Sequence, residues 1–374
     1  MLKKIAEEVG VTTRQTAQTL LLLEEGGTVP FIARYRKEAT GNLDEVQIRD
    51  IAEKRVYYGE LLERKGAILK SIEEQGKLSP ELKMKIEGCY EKTELEDLYL
   101  PYRPKRKTKA TMAIEKGLEP LARFIYEQAP PNRTEDKAGE DTIKALTAEF
   151  ISEEKGVASA DEALEGALHI IAEWVAENAD LRKGLREMMF RDGLVVSRLL
   201  KGKAGEKTKY EMYYDFREPV PVIPSHRMLA IRRGEDEKVL AFSIEIDEEK
   251  ALSYLNGQVI RDSKSVFVPY LEKAINDSYS RLLNPSIQTE VRLALKKRAD
   301  EEAIDVFDEN LKNLLLAPPA GPITVIGIDP GMRTGCKVAV ISETGKLLEH
   351  TTIYPTEPRN DIAGATKTLM TLIQ

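Results

Sequence analysis

One stretch near the carboxyl end of the sequence, ITVIGIDPGMRTGCKVAVIS at residues 323–342, constrains the fold more than any other. Its first half has the pattern of a buried apolar strand that ends at a carboxylate, Asp329, and a Pro-Gly turn. Further strands are predicted over Lys337–Ser342 and Leu347–Tyr354, and a helix from about Asp361. This β-β-β-α order predicts the beginning of an α/β domain, whereas the preceding residues are mostly helical in pattern.

Length and composition describe a soluble globular chain. Its 374 residues suffice for two or three domains, each with its own core. A net charge of -7 argues against binding nucleic acid by bulk charge, so any such contact must come from local patches. The two cysteines, Cys89 and Cys336, are far apart and predict a reducing compartment without structural zinc. With no signal peptide and no apolar run of membrane length, we expect a cytoplasmic protein without a membrane partner.

The pattern predicts a mostly α, multidomain chain in three parts. These are a helical region at 1–192, a mixed segment with short strands and a long central helix at 193–317, and an incomplete α/β domain at 323–374. The long helix is predicted over Ser286–Leu316, roughly 45 Å at 1.5 Å per residue. Asn284-Pro285 is predicted to separate it from the helix before it.

Two short helices are predicted at the amino end. Gly10 ends the first, and Thr12 with Gln15 forms a capping box for the second. Their proportions are those of a helix-turn-helix-like start. An ordinary αα-hairpin fits the same pattern, and from the pattern alone it is the favoured interpretation.

A first basic cluster lies within residues 30–41, where Arg34, Arg36 and Lys37 surround Tyr35. Cations around an aromatic ring can hold phosphates and stack on a base. The alternative is a solvated basic turn whose cations pair with nearby acidic residues, namely Glu24, Glu25 and Glu38.

The densest positive run is PYRPKRKTK, Pro101–Lys109, with Tyr99 and Tyr102 beside its cations. Those cations are Arg103, Lys105, Arg106, Lys107 and Lys109. Two prolines disfavour a regular helix, so the side chains are expected to project from an extended loop. Such a loop suits phosphate contacts that confer affinity without reading sequence, or an acidic protein partner. An ordinary surface loop of a charged protein has the same composition.

The carboxylate at the end of the first C-terminal strand suggests chemistry. The strand order is the one in which the ribonuclease H-like fold begins, and in its nucleases the corresponding aspartate helps bind two divalent metals. Three interpretations of GIDPG remain open: a metal-binding nuclease carboxylate as in resolvases, the phosphate loop of actin-like ATPases, or a scaffold without chemistry. Pro330 favours the first over the second. One carboxylate, Asp329, is a weak candidate for a catalytic or metal site.

Four blocks of sequence together resemble the bacterial Tex transcription accessory protein family. They are VPFIARYRKEATGNLDE, LYLPYRPKRKTKAT with EKGLEPLA, IPSHRMLAIRRGE and GIDPGMRTGCKVAVIS, in the family's order within Leu2–Gln374. The resemblance implies a helical region with a helix-turn-helix-like part, a long central helix and a YqgF-like domain of ribonuclease H-like fold. It also implies helix-hairpin-helix elements and an OB-type RNA-binding barrel beyond these. The YqgF-like domain is not generally an active nuclease in this family, whose members resemble a eukaryotic transcription elongation factor.

The leading hypothesis is a non-enzymatic, nucleic-acid-binding accessory factor of transcription that acts as a scaffold. We expect RNA or DNA and the transcription machinery as partners, no cofactor, and contacts through the two basic clusters. The chain is expected to be a fragment that lacks the family's barrel and part of the YqgF-like domain. One rival is a Mg²⁺-dependent nuclease that uses Asp329, and another is a purely protein-interaction module.

Overall fold

The computed structural model describes residues 1–104, 106–128, 139–200, 202, 208–317, 321–331 and 334–373. They form two compact units, Met1–Glu301 and Glu302–Gln374, and are mostly helical, as predicted. The predicted division into three parts stays a prediction. No helix in the described ranges is both long and apolar enough to cross a bilayer.

The first unit begins with helices packed around one long member. They are α1 (Leu2–Val9), α2 (Thr13–Glu24), α3 (Val29–Tyr35), α4 (Lys37–Thr40), α5 (Glu45–Glu74), α6 (Pro80–Gly88) and α7 (Lys92–Tyr99). The predicted caps are confirmed: Gly10 ends α1 at φ 73°, and Thr12 accepts from the Gln15 amide. Because α1 and α2 both contact α5, they belong to one helical layer. The DNA-binding interpretation of this pair stays a prediction.

A larger core follows in the same unit. It contains α8 (Lys109–Glu115), α9 (Glu119–Tyr126), α10 (Gly139–Ala148), α11 (Ala160–Glu177), α12 (Ala179–Asp192), β1 (Leu194–Leu199), β2 (Asp215–Pro219), α13 (Ser225–Asp236), β3 (Leu240–Glu245), α14 (Glu248–Val259) and α15 (Val268–Asp277). Helix α11 lies at its centre, where it contacts α8, α9 and α15. Half of its buried residues are alanines, so its neighbours can approach closely.

The three strands of this unit form an antiparallel sheet in the order β2-β1-β3. The outer edge of β3 is covered by α16 (Asn284–Leu315). There the Ile244 amide donates to Gln288 Oε1 over 3.4 Å, and Arg292 Nη1 donates to the Phe242 carbonyl over 3.2 Å. Side chains of a helix thus satisfy backbone groups that a further strand would otherwise pair with.

The long central helix is confirmed, but the predicted break before it is wrong. A π-helical segment, Ser278–Leu283, joins α15 directly to α16, and Pro285 lies in the first turn of α16. A proline ring clashes with the carbonyl one turn earlier in a regular α-helix. The wider π turn gives that carbonyl room, so the helix continues through the proline.

A buried ion cluster links the N-terminal helical layer of the first unit, α1 to α7, to the larger core that follows it. Arg182 Nε of α12 donates to Asp97 Oδ1 of α7 over 2.6 Å, and Arg182 also pairs with Glu290 of α16. Arg186 contacts the same two carboxylates at 2.5 Å and 2.8 Å. The side chains of Arg182 and Asp97 are each only 6% exposed. Burial alone would lower the pKa of Arg186, but the hydrogen bond and attraction from Asp97, with Glu290, raise it overall.

We predict that Arg182→Met destabilises the first unit by about 3–5 kcal/mol, the usual cost of removing one partner from a buried ion pair. The control is Lys183→Met, because Lys183 forms an exposed 2.6 Å pair with Glu94 and its loss should cost less than about 1 kcal/mol. The single tryptophan, Trp174, lies in α11 and reports unfolding by its fluorescence in a urea titration. Equal shifts in the two variants would contradict a stabilising role for the cluster.

The second unit contains an antiparallel sheet in the order β4-β5-β6, which confirms the predicted strands. They are β4 (Val325–Asp329), β5 (Cys336–Ile341) and β6 (Leu347–Ile353), followed by α17 (Ile362–Ile373). Helix α17 is capped by Asp361, whose Oδ1 accepts from the Gly364 amide over 2.8 Å. It covers one face of the sheet, where Val338, Ile353 and Ala365 are buried together.

The turn into β5 requires glycine at position 335. Gly335 has a φ of 84°, and a Cβ there would lie 2.5 Å from the Tyr354 ring and 2.7 Å from Thr352 Cγ2. The Arg359 guanidinium stacks on the Tyr354 ring at 4.0 Å, so a shift of the ring would also break this contact. Gly345, at the next turn, has a similar φ of 81° but no atom within 4 Å of its Cβ position.

Alanine substitutions at these two glycines distinguish the cost of backbone strain from the cost of side-chain crowding. Gly345→Ala should cost about 1–2 kcal/mol, the penalty of left-handed backbone for an L residue. Gly335→Ala should cost about 1–3 kcal/mol more, because it also overpacks against Tyr354. Hydrogen exchange of β5 and β6 amides measures both effects, with amides of α5 as internal reference. Equal loss of protection in the two variants would refute the crowding argument.

Candidate nucleic-acid interface

The first predicted cluster lies on two short helices at the surface of the N-terminal layer. Pro30 falls in the first turn of α3, where its missing N–H needs no partner, and Gly41 ends α4 in left-handed backbone. Arg34 lies in the last turn of α3, and Arg36 and Lys37 follow where α3 gives way to α4. All three side chains are exposed.

The ion pairs expected for a merely solvated basic turn are not formed. Glu24 is taken by Arg55 of α5, whose Nη2 lies 2.9 Å from Glu24 Oε1. Among the residues that the structure describes, no carboxylate lies within 4.0 Å of the charged groups of Arg34, Arg36 or Lys37. These cations therefore remain available to an external anion.

An aromatic pair accompanies the cations. The rings of Phe31 and Tyr35, one helical turn apart on α3, lie 5.4 Å apart at 46°. Arg36 Cζ lies 5.5 Å from the centre of the Phe31 ring. Both rings are accessible, Phe31 at 43% and Tyr35 at 61%. Sequence reasoning identified Tyr35 but missed Phe31, which the four-residue spacing on a helix would have indicated.

The second cluster is only partly the extended loop that was predicted. Leu100–Tyr102 forms a 3₁₀ turn, and the exposed Arg103, Arg106 and Lys107 follow it; Lys105 lies outside the described residues. Lys107 Nζ lies 3.4 Å from Glu115 Oε2, so its charge is partly neutralised. Lys109, predicted in the loop, is instead the first residue of α8, because Thr108 caps that helix through the Thr111 amide.

The tyrosines beside this loop are less accessible than Phe31 and Tyr35, and Tyr102 is half-buried against the N-terminal core. Tyr99 is buried, its hydroxyl lies 3.2 Å from Ser71 Oγ, and Arg64 covers its ring at 5.3 Å. A hydrogen bond from Arg64 lowers the pKa of the Glu96 carboxyl. The positive charge of Arg103 lowers it further, by a smaller amount. The loop thus offers cations with only a half-buried ring, that of Tyr102, beside them.

The structure keeps the two clusters apart. The α3–α4 cluster, formed by Arg34, Arg36 and Lys37, ends seven residues before Asp44, the N-cap of α5. The loop lies at the other end of α5, where Gln75 Nε2 donates to the Tyr102 carbonyl over 2.9 Å. Helix α5 has 30 residues, so about 45 Å separates the two ends. The clusters therefore form two patches rather than one site.

Asp329 is exposed at the end of β4, opposite Lys337 in the antiparallel ladder. Since alternate residues share a face, Asp329 points away from the face that holds Val338 and α17. In the described part of the chain, no group of three or more His, Cys, Asp or Glu side chains is placed to hold a metal ion. The described residues therefore assemble no metal site around Asp329.

Comparison with known proteins gives three family matches along the chain. Residues 1–73 match the Tex-like protein N-terminal domain, residues 140–307 the Tex central region-like domain, and residues 323–374 the Tex protein YqgF-like domain. The two basic clusters fall in and after the first of these.

Individual relatives agree with the family matches. The uncharacterized protein YdcI of Bacillus subtilis is 45% identical, over 96% of this chain and 49% of that protein. The transcriptional accessory protein Tex of Neisseria gonorrhoeae is 41% identical, over 96% of this chain and 46% of that protein. The human S1 RNA-binding domain-containing protein 1 is 29% identical, over 95% of this chain and 36% of that protein.

The chain thus spans about half the length of its bacterial relatives. Along the chain the family matches occur in the order N-terminal domain, central region, YqgF-like domain, with residues 74–139 and 308–322 between them. The observed helical layers, long central helix and β-β-β-α unit follow the same order. The chain therefore belongs to the Tex protein family.

Proposed function

We propose that this chain binds nucleic acid as an accessory factor of transcription and serves as a scaffold, without catalysis or a cofactor. The observation that carries the proposal is the α3–α4 cluster, where Arg34, Arg36 and Lys37 are exposed and have no carboxylate within ion-pairing distance among the described residues. Phosphates are the anions that such a cluster of guanidinium and ammonium groups suits best.

The charge distribution supports local rather than general binding. The net charge of -7 repels a polyanion from the chain as a whole, so affinity must come from patches where cations outnumber carboxylates. The α3–α4 cluster and the loop after Tyr102 are two such patches. Helix α5, about 45 Å long, runs between them.

Relatives support the same class of function. The names of two of them refer to transcription and to an S1 RNA-binding domain. Because the chain covers about half or less of those proteins, their activity enters here only as part of the proposal. RNA and DNA are both candidate ligands, since phosphate contacts do not distinguish them.

We expect the triple variant R34Q/R36Q/K37Q to bind nucleic acid more weakly and with less dependence on salt. Each single-strand phosphate contact contributes about 0.7 to the slope of log K against log salt, so three lost contacts remove about 2 from it. The measurement is fluorescence anisotropy with labelled 20-nucleotide RNA and DNA strands between low and physiological salt.

A matched control is R49Q/K70Q/K85Q, which removes three exposed cations that already pair with Glu45, Glu74 and Glu81. It should leave the slope almost unchanged. If both triple variants bind like the original chain, the phosphate assignment is wrong. If an acidic protein binds the cluster while nucleic acid does not, the ligand is a protein.

For Asp329 we expect no role in binding or cleavage by this chain. Incubated with Mg²⁺ and branched or single-stranded DNA, the original chain and Asp329→Asn should leave the substrate intact and bind it equally. Gel electrophoresis of labelled substrate measures this. Cleavage by the original chain that disappears in Asp329→Asn would contradict the scaffold hypothesis and support the nuclease hypothesis.

A further inference from the structure

We propose that the Phe31–Tyr35 pair is a stacking platform that makes the α3–α4 cluster select nucleic acid with unpaired bases. This inference rests on the proposed nucleic-acid binding and adds the class of ligand to it. Its basis is the position of two exposed rings directly among three cations that have no ion-pair partner in the described chain.

The exposure of the rings distinguishes them from other aromatics near cations. Tyr99, under Arg64, is buried in the N-terminal core, and its hydroxyl is hydrogen-bonded. Tyr35 is 61% exposed, so most of its ring faces solvent. A ring that is largely exposed contributes less to folding by burial than a core ring does, and the binding of a ligand that covers it gains free energy.

The geometry indicates where a base would stack. Stacked rings need about 3.5–4 Å of separation, so a base inserted between two rings requires about 7–8 Å between them. The centres of Phe31 and Tyr35 are only 5.4 Å apart, which excludes insertion between them. Arg36 lies over Phe31 at 5.5 Å, so that ring already has a cationic neighbour. The outward face of Tyr35 is the position open to a base, with Phe31 behind it as support.

The cations on the same segment complete a nucleotide site. Arg34 precedes Tyr35, and Lys37 begins α4 just after it, so phosphates on either side of a stacked nucleotide would find a positive charge. A duplex offers the same phosphates, but its base faces are covered by neighbouring base pairs. The rings therefore favour binding of a single strand over a duplex, whereas the cations alone do not distinguish a single strand from a duplex.

The test compares three labelled 15-nucleotide probes of equal backbone chemistry: a DNA strand, its duplex, and an abasic strand that keeps the phosphates but lacks the bases. The original chain should bind the strand with bases more tightly than the abasic strand, by about 5- to 150-fold, the range for one stacked base. F31L/Y35L keeps apolar side chains but has no rings, and it should bind both single strands at the abasic level. Affinity for the duplex should not change in this variant.

Phe307→Leu is the matched control, because Phe307 is 67% exposed on α16 and lies between acidic residues. It should keep the preference for bases. Binding of all three probes with equal affinity by the original chain would overturn the stacking platform but leave the phosphate proposal intact. A base preference that survives F31L/Y35L would also overturn it. Failure of every probe to bind would overturn both proposals.

Discussion

The buried pairing of Arg182 with Asp97 is the interaction on which the first unit depends most. Asp97 belongs to the N-terminal helical layer, and Arg182 to the central core, where Glu290 of the long helix also pairs with it. Charges removed from water at this level are tolerated only when each has a well-placed partner. The cluster therefore defines how α7 lies against α12 and α16. It also positions the 3₁₀ turn that leads into the basic loop, because that turn follows α7 directly.

Much of the secondary structure could be predicted because its signals are local. The cap at Thr12 was readable from Gln15, three residues on, and the C-terminal strands from apolar runs between turns. Spacing is not sufficient, because Thr93 and Glu96 are also three residues apart and yet α7 begins after Glu91. Interactions between residues far apart in sequence gave no such signal. Arg182 and Asp97 are 85 positions apart, and a pattern of single residues does not indicate their pairing.

In the candidate site, too, local features could be predicted from the sequence, whereas contacts between distant residues could not. Its cations were visible in the sequence, but their availability depended on where nearby carboxylates point. Glu24 is close to the cluster in sequence, yet it pairs with Arg55, 31 residues away. Tyr99 adjoins the basic loop in sequence but packs inward, since α7 presents it to Ser71 and Arg64 of α5. The α3–α4 cluster has fewer cations than the loop after Tyr102, but its aromatic rings are more accessible.

The way in which α16 covers the edge of β3 has a consequence for how the chain avoids aggregation. Strand edges with free N–H and C=O groups recruit strands from other molecules. Here Gln288 and Arg292 occupy such groups at Ile244 and Phe242, but only once the long helix has docked. On a ribosome β3 emerges well before α16, so during synthesis this edge is open for the time needed to make about 40 further residues. Docking of α16 therefore covers a strand edge that is exposed only while the chain is being synthesised.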